Sequence, residues 1–525
     1  MTLLALLMPL VLANPPTLKA PPPRAVKTAS APQAPAQAPA QAPAQAPAQA
    51  PAQAPAQAPA QAPAQPVALP TNMTLVEFID RDASLSVTIG DGLRIGFATA
   101  PPAQVTISQI KLANDNDSFG VGAAVTSEPR SRQITITLGE KPKLKIGGVY
   151  PSRDAKSGLT ASAVKLGNNV MDIRDERVRL IEARYRDEYV KRRRVVSQKL
   201  SANDSKTFYD MAPFLDGLVT WYEATGDTQY IDSLIGHLDE MLAQGKDLTG
   251  DGYVDFYAQN LKRPNVQLYD WRGFKAMARL TRLIGTDATL RQRYGDAFQR
   301  YYSFVEVQLI DKWSATYAKS KRKYDHPFLP YERENLIHRA SHMGNILIDY
   351  QLLAGNDKGR AGVEAVAGRM KKQIQRAAQV ADTVEWNILY NNSGPILRDR
   401  STLKGVSDVS HAAATVSMIV AEALGTNLVF NRQDLDALSN TFVKVIWNGD
   451  REDVKLSDFI DGGISSKTPY AYGDDSIGDG WAALGVYRRD VQDLLLVLEN
   501  KGRMGLYSYQ FAAHLARNFS HAHWY

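Results

Sequence analysis

From about Thr207 to the end of the chain, apolar positions recur at helical spacing and are cut at intervals by the same short punctuation. An apolar helix closes on glycine, a Thr, Asn or Asp follows, and a new helix opens. The unit is read at Ala224-Thr225-Gly226-Asp227, Leu283-Ile284-Gly285-Thr286-Asp287, Leu353-Ala354-Gly355-Asn356-Asp357, Ala423-Leu424-Gly425-Thr426-Asn427 and, more loosely, Ala483-Leu484-Gly485. Successive glycines are 59, 70, 70 and 60 residues apart. Glycine supplies the left-handed residue that ends a helix, and the polar residue after it caps the next. Even spacing predicts five copies of one helix-pair unit. A helix starting near Asp172 and the segment Leu506–Phe519 supply a sixth or seventh. The expected fold is mainly α: an (α/α)n toroid, n about 6–7, over residues 207–525, its inner helices facing a funnel.

The period changes upstream. Leu85–Ile89, Leu93–Phe97, Val105–Leu112, Gln133–Leu138 and Lys143–Ile146 alternate with period two, and Gly90-Asp91-Gly92 reads as a hairpin turn. Residues 75–150 are therefore expected to form a small β-sandwich-like domain. Residues 151–206 read as a charged connecting segment. Its run Lys191-Arg192-Arg193-Arg194 lies among Asp175, Glu176, Glu182, Asp187 and Glu188, as on a solvated helix rather than a nucleic-acid arm. Within 14–74, the Gln-Ala-Pro-Ala repeat of 33–65 blocks both helix and sheet and predicts a disordered tether. Residues 1–13, with the short apolar run Leu3–Leu12 before Ala13, read as a signal peptide, so the protein is expected to be secreted or periplasmic. No stretch is long and apolar enough to be expected to span a membrane.

Composition narrows the chemistry. The 525 residues hold no cysteine, which excludes disulfides, thiolate catalysis and Cys-based zinc sites. Against 55 Asp and Glu stand 61 Lys and Arg, a net charge of +6 that suits an anionic polymer.

Asp247, Thr249, Asp251, Gly252 and Asp255 have the spacing of a calcium loop, but Ala258 stands where the bidentate acid belongs, leaving a weak Ca2+ candidate. His338 and His342 share one helix face without the Glu of a zinc-protease motif. His411 follows Asp408 at a predicted helix start, where the helix dipole favours a neutral imidazole. Two clusters combine aromatics and amides as sugar sites do: Trp386, Asn387, Tyr390, Asn391 and Asn392, and Asn265, Gln267, Tyr269, Asp270, Trp271 and Arg272.

The tandem hairpins, Arg339-Ala340-Ser341-His342, the Trp386–Tyr390 segment and Asp408-Val409-Ser410-His411-Ala412 together resemble the (α/α) toroid polysaccharide lyases, nearest to alginate and glucuronan lyases. The likeness covers about Thr207–Leu498; where the family has Ile before the serine, this chain has Val409. It implies β-elimination at a uronic acid of an acidic polysaccharide. Tyr390 would then be the acid/base, His342 and His411 the base or carboxylate clamp, and Asn265 and Arg339 clamp partners. Trp386, Asn391 and Tyr269 would bind sugar, with no metal or organic cofactor required.

Two readings stand beside it. A glycoside hydrolase on the same ring would use paired carboxylates drawn from Asp270, Glu332, Glu334, Asp408, Asp474 and Asp475. A non-catalytic envelope protein would only bind glycan.

Overall fold

The computed structural model describes residues 73–79, 81, 92–97, a series of short strands between 104 and 175, and then 176–319, 336–388, 395–398, 405–464, 477–500 and 508–521. The expected signal peptide and tether lie outside these residues.

Before the helices, Gly92–Phe97 is a central strand, paired antiparallel on one side with Met73–Ile79 and on the other with Gln133–Thr137. Arg174–Asp175 adds parallel to Met73–Ile79 and completes four strands. Val76, Leu93, Ile95 and Phe97 are buried. The sheet is tied to the first helix by ion pairs: Arg94 contacts Glu176 at 2.7 Å, and Arg179 contacts Glu77 at 2.9 Å.

Twelve principal helices among the described residues alternate between an outer and an inner layer. The outer ones are α1 (Glu176–Leu200), α3 (Gln229–Leu242), α5 (Ala288–Ser303), α8 (Asp357–Gln373), α10 (Arg432–Thr441) and α12 (Arg489–Asn500). The inner ones are α2 (Ser205–Thr225), α4 (Gln267–Thr286), α7 (Ile337–Ala354), α9 (Val409–Leu424), α11 (Gly478–Ala483) and α13 (Ser508–Ser520). A short α6 (Lys312–Lys319) continues α5 through a π-helical turn. Each inner helix packs on the next, α2 on α4, α4 on α7, α7 on α9, α9 on α11 and α11 on α13, and α13 packs back on α2. The ring is therefore closed, an (α/α) toroid with n of six. The charged helix expected as a connector is α1, an outer helix packed on α13.

The hairpins fall at or just after the glycines, but not for one reason: Gly285 is still helical, and Asp287 both ends α4 and caps α5. Gly226 and Gly355 close α2 and α7 in the left-handed region, with φ of 69° and 62°. Gly425 does not: its turn is held by the Glu422 carboxylate, which accepts the backbone N–H groups of Leu428, Val429 and Phe430 at 2.6–2.9 Å. Gly480 serves the ring itself. A Cβ there would collide with the Ala413 carbonyl, so α11 approaches the α9 backbone as only glycine allows. The indole N–H of Trp481 then donates to the Val409 carbonyl at 3.0 Å.

The short hairpins sit at the C-terminal ends of the inner helices. The long connections 243–266, 374–408 and 447–477 lead to inner-helix N-termini, so that end is the mouth of the funnel.

Candidate functional site

Three adjacent inner helices bring their first turns to the mouth. On α9, Asp408 is the N-cap: one carboxylate oxygen accepts the His411 backbone N–H at 2.9 Å, and the other meets His411 Nδ1 at 2.6 Å. The His411 ring lies 4.5 Å from that of His338 on α7, centroid to centroid, and His338 lies 6.4 Å from His342 one turn deeper. On α4, the Arg272 guanidinium stacks on Tyr209 of α2 at 4.1 Å, and Tyr209 packs against Tyr269 at 5.4 Å.

The electrostatics are lopsided toward positive charge. Burial holds both His338 and His342 well below the usual histidine range; His411, His342, Arg339 and Arg272 push His338 further down, and Arg272 and Lys275 do the same to His342. Both imidazoles are therefore neutral at ordinary pH, and the Nδ1 atoms of both are buried without a hydrogen-bond partner among the described residues. Burial alone would raise Asp408, yet the hydrogen bond and charge of His411 and its backbone N–H outweigh it and leave the carboxyl below its ordinary value. Asp408 is thus an ionised acceptor held at the mouth.

Beneath the mouth the funnel is filled by charge. Lys275 reaches Asp216 at 3.7 Å, and Asp216 also takes Gln510 Nε2 at 2.7 Å and His514 at 3.5 Å. Burial pushes Asp216 up, but Lys275, His514 and Arg279 hold it well below the carboxylate range. Deeper still, Glu223 is surrounded by Arg279, Arg282 and Arg517, and Arg282 also contacts Asp349 at 2.6 Å.

The residues singled out in the sequence divide. His342, Arg339 and His411 gather at the mouth through His338, while Tyr390 and Asn391 lie outside the described residues. Trp386 is fully buried in the core, and the Tyr269 hydroxyl accepts from Asn260 Nδ2 at 2.9 Å. Asn265, at φ 58°, hydrogen-bonds to Asp255 rather than facing the histidines. Of the hydrolase carboxylates, Asp270 is buried beside Lys312 at 3.7 Å and Asp255; burial pushes it to about 6. Glu332, Glu334, Asp474 and Asp475 lie outside the described residues.

In the acidic loop, carboxylate oxygens of Asp247, Asp251 and Asp255 lie within 4.8 Å of one another. Those groups already have work: Asp247 accepts the N–H groups of Gly250, Asp251 and Gly252, and Asp255 meets the Lys312 ammonium at 3.1 Å.

Two residues that the sequence reading did not single out, Lys275 and Tyr209, join the candidate site, and His338 and Arg272, noted there without a role, lie at its centre. A signal for Lys275 was present. Arg272, Lys275, Arg279 and Arg282 recur at spacings of three and four, one basic stripe along α4.

No family model and no curated protein matches the chain. Solved structures of an alpha-1,6-mannanase, GH76A of a Salegentibacter species, resemble it. An inactive variant in complex with alpha-1,6-mannotetrose is 11% identical, spans 62% of this chain and 98% of its own, and has a TM-score of 0.37. The mannanase itself is 12% identical over 60% of this chain and 88% of its own, again at 0.37.

These findings overturn the lyase resemblance and the β-elimination reading built on it, since the matched structures are mannanases. The physical reason lies in the motifs that carried it. Asp408-Val-Ser-His411 is first of all an N-cap, the Gly-Thr-Asp units are helix stops, and Trp386 is core. Such residues specify a ring, not a reaction.

Proposed function

We propose that the chain is a glycoside hydrolase acting on an acidic glycan at the mouth of the ring. The observation that carries the reading is the ionised Asp408 carboxylate bound to His411, whose ring lies tilted against that of His338, with Arg272 and Arg339 beside it. A carboxylate held ionised suits the residue that accepts a proton from water or attacks the anomeric carbon, while guanidinium groups suit a sugar carboxylate, sulfate or phosphate. His411 anchors Asp408 in place. Asp270 is excluded as its partner by its burial against Lys312 and Asp255. The acid that protonates the leaving oxygen is to be sought among Glu332, Glu334, Asp474 and Asp475, which precede α7 and α11 in sequence.

No helix among the described residues is long and apolar enough to cross a membrane. The apolar run Leu3–Leu12 before Ala13 supports export to the periplasm or beyond.

Purified protein is incubated with uronate-bearing, sulfated, phosphorylated and neutral polysaccharides, and new reducing ends are measured. Reducing ends from an acidic glycan, without new ultraviolet absorbance and lost in Asp408→Asn, support the reading. Retention of an acidic glycan without any product points instead to a binding protein. Cleavage of neutral glycans only overturns the acidic substrate.

A further inference from the structure

We propose that the outward face of α1 docks on an anionic lipid bilayer. The helix is 25 residues, roughly 37 Å, long. Its inward side buries Val178, Ile181, Tyr189, Val196 and Leu200. On the opposite side Leu180, Asp187, Lys191 and Arg194 follow one another at spacings of seven, four and three, one ridge of a helix. Val190 and Val195 flank that ridge. Leu180, Val190 and Val195 are 47%, 50% and 48% exposed.

Apart from Arg177, which lies over the Phe519 ring, the cations of α1 fall into two groups. Arg179 is paired with Glu77 and Glu176, Arg184 with Glu499 and Arg192 with Glu188, while Arg193 covers the Tyr189 ring. Arg186, Lys191, Arg194 and Lys199 are exposed and make no ion pair among the described residues. Against them on the exposed surface stands Asp187. Held on the outer wall of the ring, these cations present a fixed positive strip.

The aliphatic residues choose the partner. A soluble polyanion, whether nucleic acid or acidic glycan, is served by charge alone or by aromatic stacking, and the tyrosines of α1 are turned away: Tyr189 is buried and Tyr185 half-buried. Bare Leu and Val between long cationic side chains instead match the boundary between headgroups and acyl chains, where Lys and Arg lay their stems flat and keep their charge among the phosphates. Docking along α1 sets the outer wall of the ring, not its mouth, against the surface.

The test is flotation of the full chain with phosphatidylcholine vesicles that contain or lack phosphatidylglycerol. Binding should require phosphatidylglycerol and fade with salt. The triple variant Arg186→Ala, Lys191→Ala, Arg194→Ala should weaken it about a hundredfold, with circular dichroism and melting temperature unchanged. Val190→Ser with Val195→Ser should weaken vesicle binding but leave retention on a soluble polyanion untouched. Equal binding with and without the anionic lipid overturns the proposal. So does full binding by the triple variant, or retention on soluble polyanion with no flotation.

Discussion

Arg517, on the last helix of the ring, meets Glu223, on the first inner helix, at 2.7 Å. The same carboxylate takes Arg279 and Arg282 from α4, and Arg282 reaches on to Asp349 of α7. One buried anion therefore binds the two ends of the toroid to each other and to the next helix along. Burial would push Glu223 up, but the three guanidinium groups hold it well below the usual range.

Removing that anion should open the ring. Glu223→Gln strands three cations with only Asp349 and Asp216 for company, and a loss of about 3 kcal/mol is expected, read from urea unfolding. Arg517→Ala should cost less, because Glu223 keeps two partners and Arg517 is partly exposed. An equal or smaller effect for Glu223→Gln would show that the network is incidental to closure.

Glycine substitutions should separate packing from turn geometry. Gly480→Ala drives a methyl into the Ala413 carbonyl and should cost ~3 kcal/mol or more. Gly355→Ala places alanine at φ 62° with nothing within 4 Å of its Cβ and should cost only about 1 kcal/mol. Melting temperatures of the two variants give the ordering.

Asp408→Asn should abolish most turnover while keeping the helix, since Asn caps as well as Asp. A fall on the order of 10²–10⁴ in kcat, with an unchanged circular dichroism spectrum, is expected. Activity near that of the parent would remove Asp408 from the chemistry.

Stability should respond to pH with two opposite signs. His338 and His342 lie well below their unfolded value, so the folded chain holds fewer protons. Their contribution is complete above about pH 6.5 and is lost as the pH falls below it. Asp270 is raised to about 6, so its contribution is present below the unfolded carboxyl range and is lost as the pH rises through 6. Urea midpoints between pH 5 and 7.5 should therefore shift in opposite directions, relative to the parent, in His338→Gln and Asp270→Asn.

Much of this architecture is written locally. Helical periodicity, Gly226 and Gly355 at positive φ, and Asp287, Asn356 and Asp408 as caps are short-range effects, and such signals are enough to announce repeated helix pairs. Even so, Gly425 and Gly480 sit where they do because of Glu422 and Ala413, far from what a hairpin pattern reveals.

The site was legible in part, for the same reason. His342, Arg339 and His411 stood out because histidines are few and helix starts are readable. Arg272 stood out only as one member of an aromatic and amide cluster, Lys275 looked like an ordinary charge on an amphipathic helix, and only closure of the ring turned that stripe inward. The sequence by itself determined a toroid of helix pairs, an N-cap at Asp408 and a protein without thiol chemistry. The tertiary structure decided that the ring has six pairs, that His338 couples His342 to His411, and that Asp270 faces a lysine instead of the mouth. These are contacts between side chains some 40 to 300 residues apart, and their geometry depends on how the helices pack, which no local pattern encodes.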